Sequence, residues 1–260
     1  MNAGQVKRFV DGAVGWLVLH NPHKRNAISL EMWKALTIAI LEFQNDGAVR
    51  CIVIRGDGDT SFCAGADVGE KQGVGAEQAA SDAMLARAGL NAVEDCSKPV
   101  LAMINGYCLG AGMALALACD LRFAGTDASI GIPAAKLGLP TQYSSTKRLV
   151  DVVGPSNAKF LVFTADRISA EKALAIGLVN EVFANTMLDE CVLAIARRIA
   201  ANAPLTVTSA KHAVAAAVSE EPGRNAAELE QMARECLSSE DYIEGRRAFR
   251  EKRPPVFVGR

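Results

Sequence analysis

The chain has almost no net charge: 28 lysines and arginines stand against 29 aspartates and glutamates, a formal balance of −1 over 260 residues. That balance gives no overall attraction to nucleic acid. Aromatic residues are only 5% of the chain, so the interleaved basic and aromatic stripe of an RNA-binding face is missing as well. Histidine is scarce, at three residues, and the seven cysteines are odd in number and show no metal-ligand spacing. No basic, apolar and small-residue leader opens the sequence. These absences predict a cytoplasmic, globular protein without a disulfide framework or a metal. The one long uncharged run, Pro99 to Cys119, is broken by Asn105, Gly106, Gly110 and Gly112. It reads as a buried strand, a turn and a buried helix rather than as a membrane span.

What is present is half hydrophobic and strongly patterned. Val14 to Leu19 and Cys51 to Ile54 are short β-branched runs bounded by turn residues, as buried strands are. Between them Leu30, Trp33, Leu36, Ile40 and Leu41 recur at helical spacing behind Ser29, a suitable N-cap. The pattern then repeats: a polar glycine-rich loop from Gly56 to Gly75, a helix from about Ala76 to Val93 and a strand from Val100 to Ile104. A helix starting near Gly110, a strand at Leu121 to Phe123 and an extended piece at Ser129 to Ile132 follow. From Thr146 onward helical periods dominate, with Ser169 as a cap, Gly177 as a stop and a last short strand at Leu178 to Phe183. Helices over Asn185 to Ala201 and Leu205 to Val218 come next, with two more beyond Pro222. The predicted fold class is α/β, with a core over residues 1–200 and a helical region over 201–260.

Two turns stand out chemically, Ala64-Gly65-Ala66-Asp67 and Leu109-Gly110-Ala111-Gly112, each just past a predicted strand. Small residues there let a substrate approach the backbone, and amides at a helix start carry partial positive charge, as an oxyanion hole requires. The same residues equally permit close packing of helix on strand. Neither turn has the spacing of a dinucleotide fingerprint or of a P-loop, which argues against a nucleotide-dependent oxidoreductase or kinase.

Taken in order, Asn21-Pro22-His23-Lys24-Arg25-Asn26-Ala27, Ala64-Gly65-Ala66-Asp67, the segment from Asn105-Gly106 to Asp120, Thr164-Ala165-Asp166-Arg167-Ile168-Ser169-Ala170 with Gly177-Leu178-Val179, and Ala248-Phe249-Arg250-Glu251-Lys252-Arg253 resemble the enoyl-CoA hydratase/isomerase (crotonase) superfamily. The resemblance covers nearly the whole chain. It implies a spiral of ββα units with a helical C-terminal region that mediates trimerisation, as a homotrimer or a dimer of trimers. It implies an acyl-CoA or enoyl-CoA thioester as ligand, with coenzyme A arriving as part of the substrate and no permanently bound cofactor. By position the amides of Ala66 and Gly110 would hold the thioester oxygen, and Lys24, Arg25 and Ala64 would line the path of the coenzyme. Phe249 and Lys252 would touch it from an adjacent subunit, which gives the basic cluster around Arg246 to Arg253 a use besides that of a solvated helix face.

The sequence departs from the pattern at the two positions where hydratases of that family hold catalytic glutamates. Here they are Ala114 and Ala134. A methyl group neither activates water nor protonates carbon, and each positioned acid or base contributes about 10²–10⁴-fold. Hydration by the two-glutamate route is therefore not expected, whereas chemistry through a thioester enolate held by amides is. Tyr143 is the remaining candidate for proton transfer, or else a packed phenol. Cys63 and Cys108 beside the turns lack a histidine placed to activate them and read as buried fillers. Three activities fit: a lyase or isomerase of the family, an acyl-CoA decarboxylase, which generates its own enolate, and a non-catalytic acyl-CoA-binding protein.

Overall fold

The structure, a computed structural model, describes residues 4–67, 76–218 and 226–260. Its strands alternate between two sheets. A six-stranded sheet runs β1 (Gln5–Asp11), β2 (Val14–His20), β3 (Cys51–Gly56), β5 (Val100–Ile104), β7 (Leu121–Gly125) and β10 (Glu181–Phe183). A smaller sheet runs β4 (Ser61–Cys63), β6 (Tyr107–Leu109), β8 (Ser129–Gly131) and β9 (Arg167–Ser169). Each of the pairs β3/β4, β5/β6 and β7/β8 gives one strand to either sheet before a helix follows. Three such ββα turns make the spiral, ending in α2 (Ala76–Glu94), α3 (Ala111–Ala118) and α4 (Tyr143–Thr164). Both sheets are mixed, since β1 with β2 and β8 with β9 are the antiparallel pairs in otherwise parallel ladders.

The continuous apolar strands are explained by burial on both faces. Leu17, Leu19, Ile52, Ile54, Ala102 and Ile104 point to one core with α1 (Leu30–Asn45) and α3, whereas Trp16, Val53, Leu101 and Met103 point to a second core closed by α6 (Leu188–Ala200). The Ser29 cap is present, its side chain accepting from Met32 N, and Ser169 does the same for Lys172 N ahead of α5 (Ala170–Ala175). Several boundaries differ from the sequence reading. β1 was not foreseen because its exposed, charge-rich face hides the alternation, and β6 occupies what reads as a turn. Strand β9 was likewise unforeseen, and the expected strand over Leu178–Phe183 shortens to β10. α4 starts at Tyr143 and kinks at Gly154, ahead of Pro155. The predicted loop from Gly56 to Gly75 contains β4, and its residues 68–75 lie outside the described residues.

α7 (Pro204–Ala217), α8 (Ala226–Ser238) and α9 (Glu240–Glu251) complete the helical region, and the last residues return to the body. Asp241 accepts from the amides of Val258 and Gly259 at 2.7 and 2.9 Å, and the carbonyl of Arg260 accepts from Glu240 N at 2.7 Å. Glu244 takes Arg253, Arg247 and the amide of Val256, and these donors, Arg253 foremost, hold its carboxyl well below the usual range. From the body, Arg50 donates to the carbonyl of Phe257 at 2.8 Å.

Backbone contact between the small-sheet turns requires Gly112, where an added Cβ would lie 2.3 Å from the carbonyl oxygen of Cys63. Gly112→Ala should therefore cost on the order of 1–3 kcal/mol of stability and lower the melting temperature by several degrees. Gly47→Ala, where an added Cβ meets nothing within 4 Å, should leave the melting temperature almost unchanged in the same thermal scan.

Candidate active site

The turn after β4 is stitched to the segment that follows β2. Ala64 N donates to Arg25 O at 3.1 Å, Ile28 N to Gly65 O at 2.9 Å and Asp67 N to Ile28 O at 2.9 Å. In this parallel bridge Ile28 opposite Ala66 uses both its backbone groups on the neighbours of Ala66. The N–H of Ala66 is thereby turned out of the ladder, and among the described residues no acceptor is bonded to it.

The second turn is Gly110, whose φ of 53° and ψ of −112° suit glycine alone among the common residues. It lies in van der Waals contact with the first turn: an added Cβ would stand 3.9 Å from Gly65 Cα, and one on Gly65 3.6 Å from Leu109 O. The amide of Gly110, expected to serve as a donor, points elsewhere, donating to Gly131 O at 3.0 Å. α3 starts at the next residue, and its first helical bond runs from Ala114 N to Gly110 O at 3.0 Å. The amides of Ala111, Gly112 and Met113 precede that bond, and no acceptor among the described residues takes them. Of these three residues Ala111 is half-buried and the other two are buried, so the amide nearest the opening belongs to Ala111. Ala64, Ala66, Ala114, Ile132, Pro133 and Ala134 share this half-buried state. Ala134 sits in a 3₁₀ turn over Pro133–Leu137. Both alanine positions thus carry only methyl groups.

The other sequence candidates fall in different surroundings. Lys24 donates to both oxygens of the buried Asp67, at 2.8 and 2.6 Å, so its ammonium is engaged beside the first turn. Arg25 adopts a left-handed backbone (φ 52°), and its carbonyl also accepts from Ser61 Oγ at 2.8 Å. Its guanidinium stands 5.0 Å from the centre of the Tyr107 ring, and that of Arg167 stands 5.3 Å from the same centre. Sequence reasoning missed this cluster because its members lie on three distant segments. Tyr143 opens α4 with 70% of its surface exposed, the setting of a surface phenol rather than of a buried proton donor. Phe249 on α9 is 86% exposed, and Lys252 is its left-handed C-cap. Asp120 accepts from Val100 N and Lys211 at 2.7 and 2.9 Å, a structural role. Among the described residues no group of histidine, cysteine and carboxylate side chains could hold a metal, and no helix is long and apolar enough to cross a membrane.

A family model for enoyl-CoA hydratase/isomerase matches residues 10–260. The chain belongs to the enoyl-CoA hydratase/isomerase family. It is 34% identical over 243 residues to a short-chain-enoyl-CoA hydratase of Clostridium acetobutylicum, covering 94% of this chain and 93% of that one. It is 35% identical over 258 residues to a carnitinyl-CoA dehydratase of Salmonella typhi, covering 96% and 97%. Among solved structures, an enoyl-CoA hydratase/carnitine racemase of Magnetospirillum magneticum superposes with a TM-score of 0.94 at 33% identity, over 100% of this chain and 97% of that one. The enoyl-CoA hydratase of Bacillus anthracis gives 0.93 at 32% identity, over 99% of each. The spiral and helical C-terminal region expected of the family are thus the fold of this chain.

Burial pushes the Cys63 thiol up to about 11 and those of Cys51 and Cys119 to about 12, and it raises Cys108 and Cys96 as well. Such thiols carry almost no thiolate at neutral pH. A thiol-reactive dye at pH 8 should label only the half-buried Cys191 and Cys236 quickly, and all seven cysteines after denaturation. Rapid labelling of Cys63 or Cys108 in the native protein would contradict their role as inert filling.

Proposed function

We propose that the chain acts on acyl-CoA thioesters by stabilising the thioester enolate with the backbone amides of Ala66 and Ala111. The observation that carries this reading is the pair of amides that have no acceptor among the described residues, on two touching, half-buried turns. Preorganised donors of this kind are worth about 3–4 kcal/mol each when negative charge develops on the oxygen they face. Gly110, named from the sequence, supplies the sharp bend and Ala111 the N–H. The start of α3 adds the positive end of its dipole. Lys24, Arg25 and Ala64 border the first turn, where the coenzyme would run. Phe249 and Lys252, exposed on α9, suit contact with the coenzyme of an adjacent subunit in a trimer or dimer of trimers.

Relatives named as hydratases and a dehydratase support lyase chemistry on coenzyme A thioesters. The methyl groups of Ala114 and Ala134 argue against water addition by paired carboxylates. A decarboxylase is the favoured alternative, because loss of carbon dioxide leaves the enolate without any base at either position. Tyr143, exposed in this subunit, keeps only the role of a proton donor reached by substrate at the surface.

Incubation of the purified protein with crotonyl-CoA, a 3-enoyl-CoA and methylmalonyl-CoA, with products followed by mass spectrometry, separates these readings. Crotonyl-CoA should be hydrated slowly, and the double substitution Ala114→Glu with Ala134→Glu should raise that rate by about 10²-fold or more. Ala66→Pro, which removes one amide, should lower any enolate-forming turnover by roughly 10²–10³-fold while coenzyme A still binds. Fast hydration by the unaltered protein would show that another group performs the work of the missing glutamates. Tight thioester binding with no turnover of any substrate would make the chain a binding protein.

A further inference from the structure

At the carboxyl ends of β6 and β8 lies a cavity of about 360 Å³ whose floor is Leu109, Ile132, Pro133 and Ala165, with Lys136 and Arg167 at its rim. It does not contain the amides of Ala66 and Ala111, but it adjoins the second turn and Ala134. Leu109 leads into Gly110 and Ala111, and Pro133 into Ala134. Strand register explains why these side chains meet. Leu109 pairs with Gly131 and Gly131 with Arg167, so the three project to one face of the small sheet. Cys108, Ile130 and Ile168 fill the core on the other face. Tyr107, two residues before Leu109, lies on the same face as Arg167, and Arg25 reaches its ring as well.

The charge of this corner is unbalanced. Lys136 is paired with Asp166 at 2.8 Å, yet among the described residues neither Arg25 nor Arg167 forms an ion pair. An exposed cation–π contact contributes little and leaves each guanidinium able to take an anion. Arginine is the side chain best shaped to hold a carboxylate, and Arg167 stands at the edge of the cavity. The volume is at the small end of ligand sites, which suits a short acyl group and not a nucleotide. With alanine at 114 and 134, no carboxylate at either position repels a negatively charged acyl group.

We propose that this cavity is a carboxylate subsite, and that the natural thioester carries a short acyl group bearing a second carboxylate, held by Arg167 at its rim. The proposal rests on the reading that the chain binds coenzyme A thioesters. Calorimetric titration with glutaryl-CoA, valeryl-CoA and free coenzyme A tests it, because the two thioesters share chain length and differ in the terminal carboxylate. Glutaryl-CoA should bind about tenfold or more tighter than valeryl-CoA. Arg167→Gln should abolish that preference while valeryl-CoA affinity stays within about twofold, and Arg167→Lys should restore part of it. Arg167 is exposed, so melting temperatures of the variants should match the parent protein. Equal affinity for the two thioesters in the unaltered protein would overturn the proposal. So would an equal loss for all three ligands in Arg167→Gln, which would assign the arginine to the coenzyme's phosphates. Failure of all three ligands to bind would overturn the coenzyme A reading itself, and this proposal with it.

Discussion

Residues 60–65 and 106–112 meet backbone against backbone at Gly106 and Gly112. An added Cβ on Gly106 would lie 2.0 Å from Thr60 O, and one on Gly112 would lie 2.3 Å from Cys63 O. This approach fixes the distance between two strands of the small sheet and seats α3 against the end of β4. It also sets the first turn beside the second, so that amides from separate segments open on one surface. The spiral surrounds this contact: the two apolar cores pack its outer layers, and the Lys24–Asp67 pair and the Arg25 carbonyl hold the first turn from the side of β2.

In the proposed reading the chemistry is carried by main chain rather than by side chains. An amide has no pKa in the working range and needs no neighbour to set its protonation state. Such a site would work with methyl groups at 114 and 134, provided the substrate supplies its own driving force. The electrostatic consequence is that the surroundings of the turns lack negative charge at 114 and 134 while Arg25 and Arg167 stand close by. The fold is that of the family.

Much of the architecture was legible from the sequence because burial on two faces writes continuous apolar strands, and because Ser29, Ser169 and Gly177 punctuate the helices they cap or stop. The elements that escaped are short or exposed. β1 pairs through one edge and carries charge, and β6 and β9 are three-residue strands whose existence depends on partners far away in the chain. Ala66 and Gly110 were both named as donors through the family resemblance, and nothing in the sequence signals that the Gly110 amide is taken while that of Ala111 is left. That difference depends on the Gly131 carbonyl, 21 residues downstream, which captures one amide and leaves the next. The Arg25, Tyr107 and Arg167 cluster left no local signal at all.

The return of residues 254–260 to the body has a mechanical consequence. Asp241 and Glu244 fasten the tail to α9, and Arg50 fastens the tail to the turn before β3. The described part of the helical region is therefore anchored at its root and at its tip rather than at one end alone. The entropy of that closure is met inside one subunit. Phe249 and Lys252 face outward at the end of a helix whose tail is pinned, and exchange of this region between copies of the chain would first require the latch at Arg50 to open.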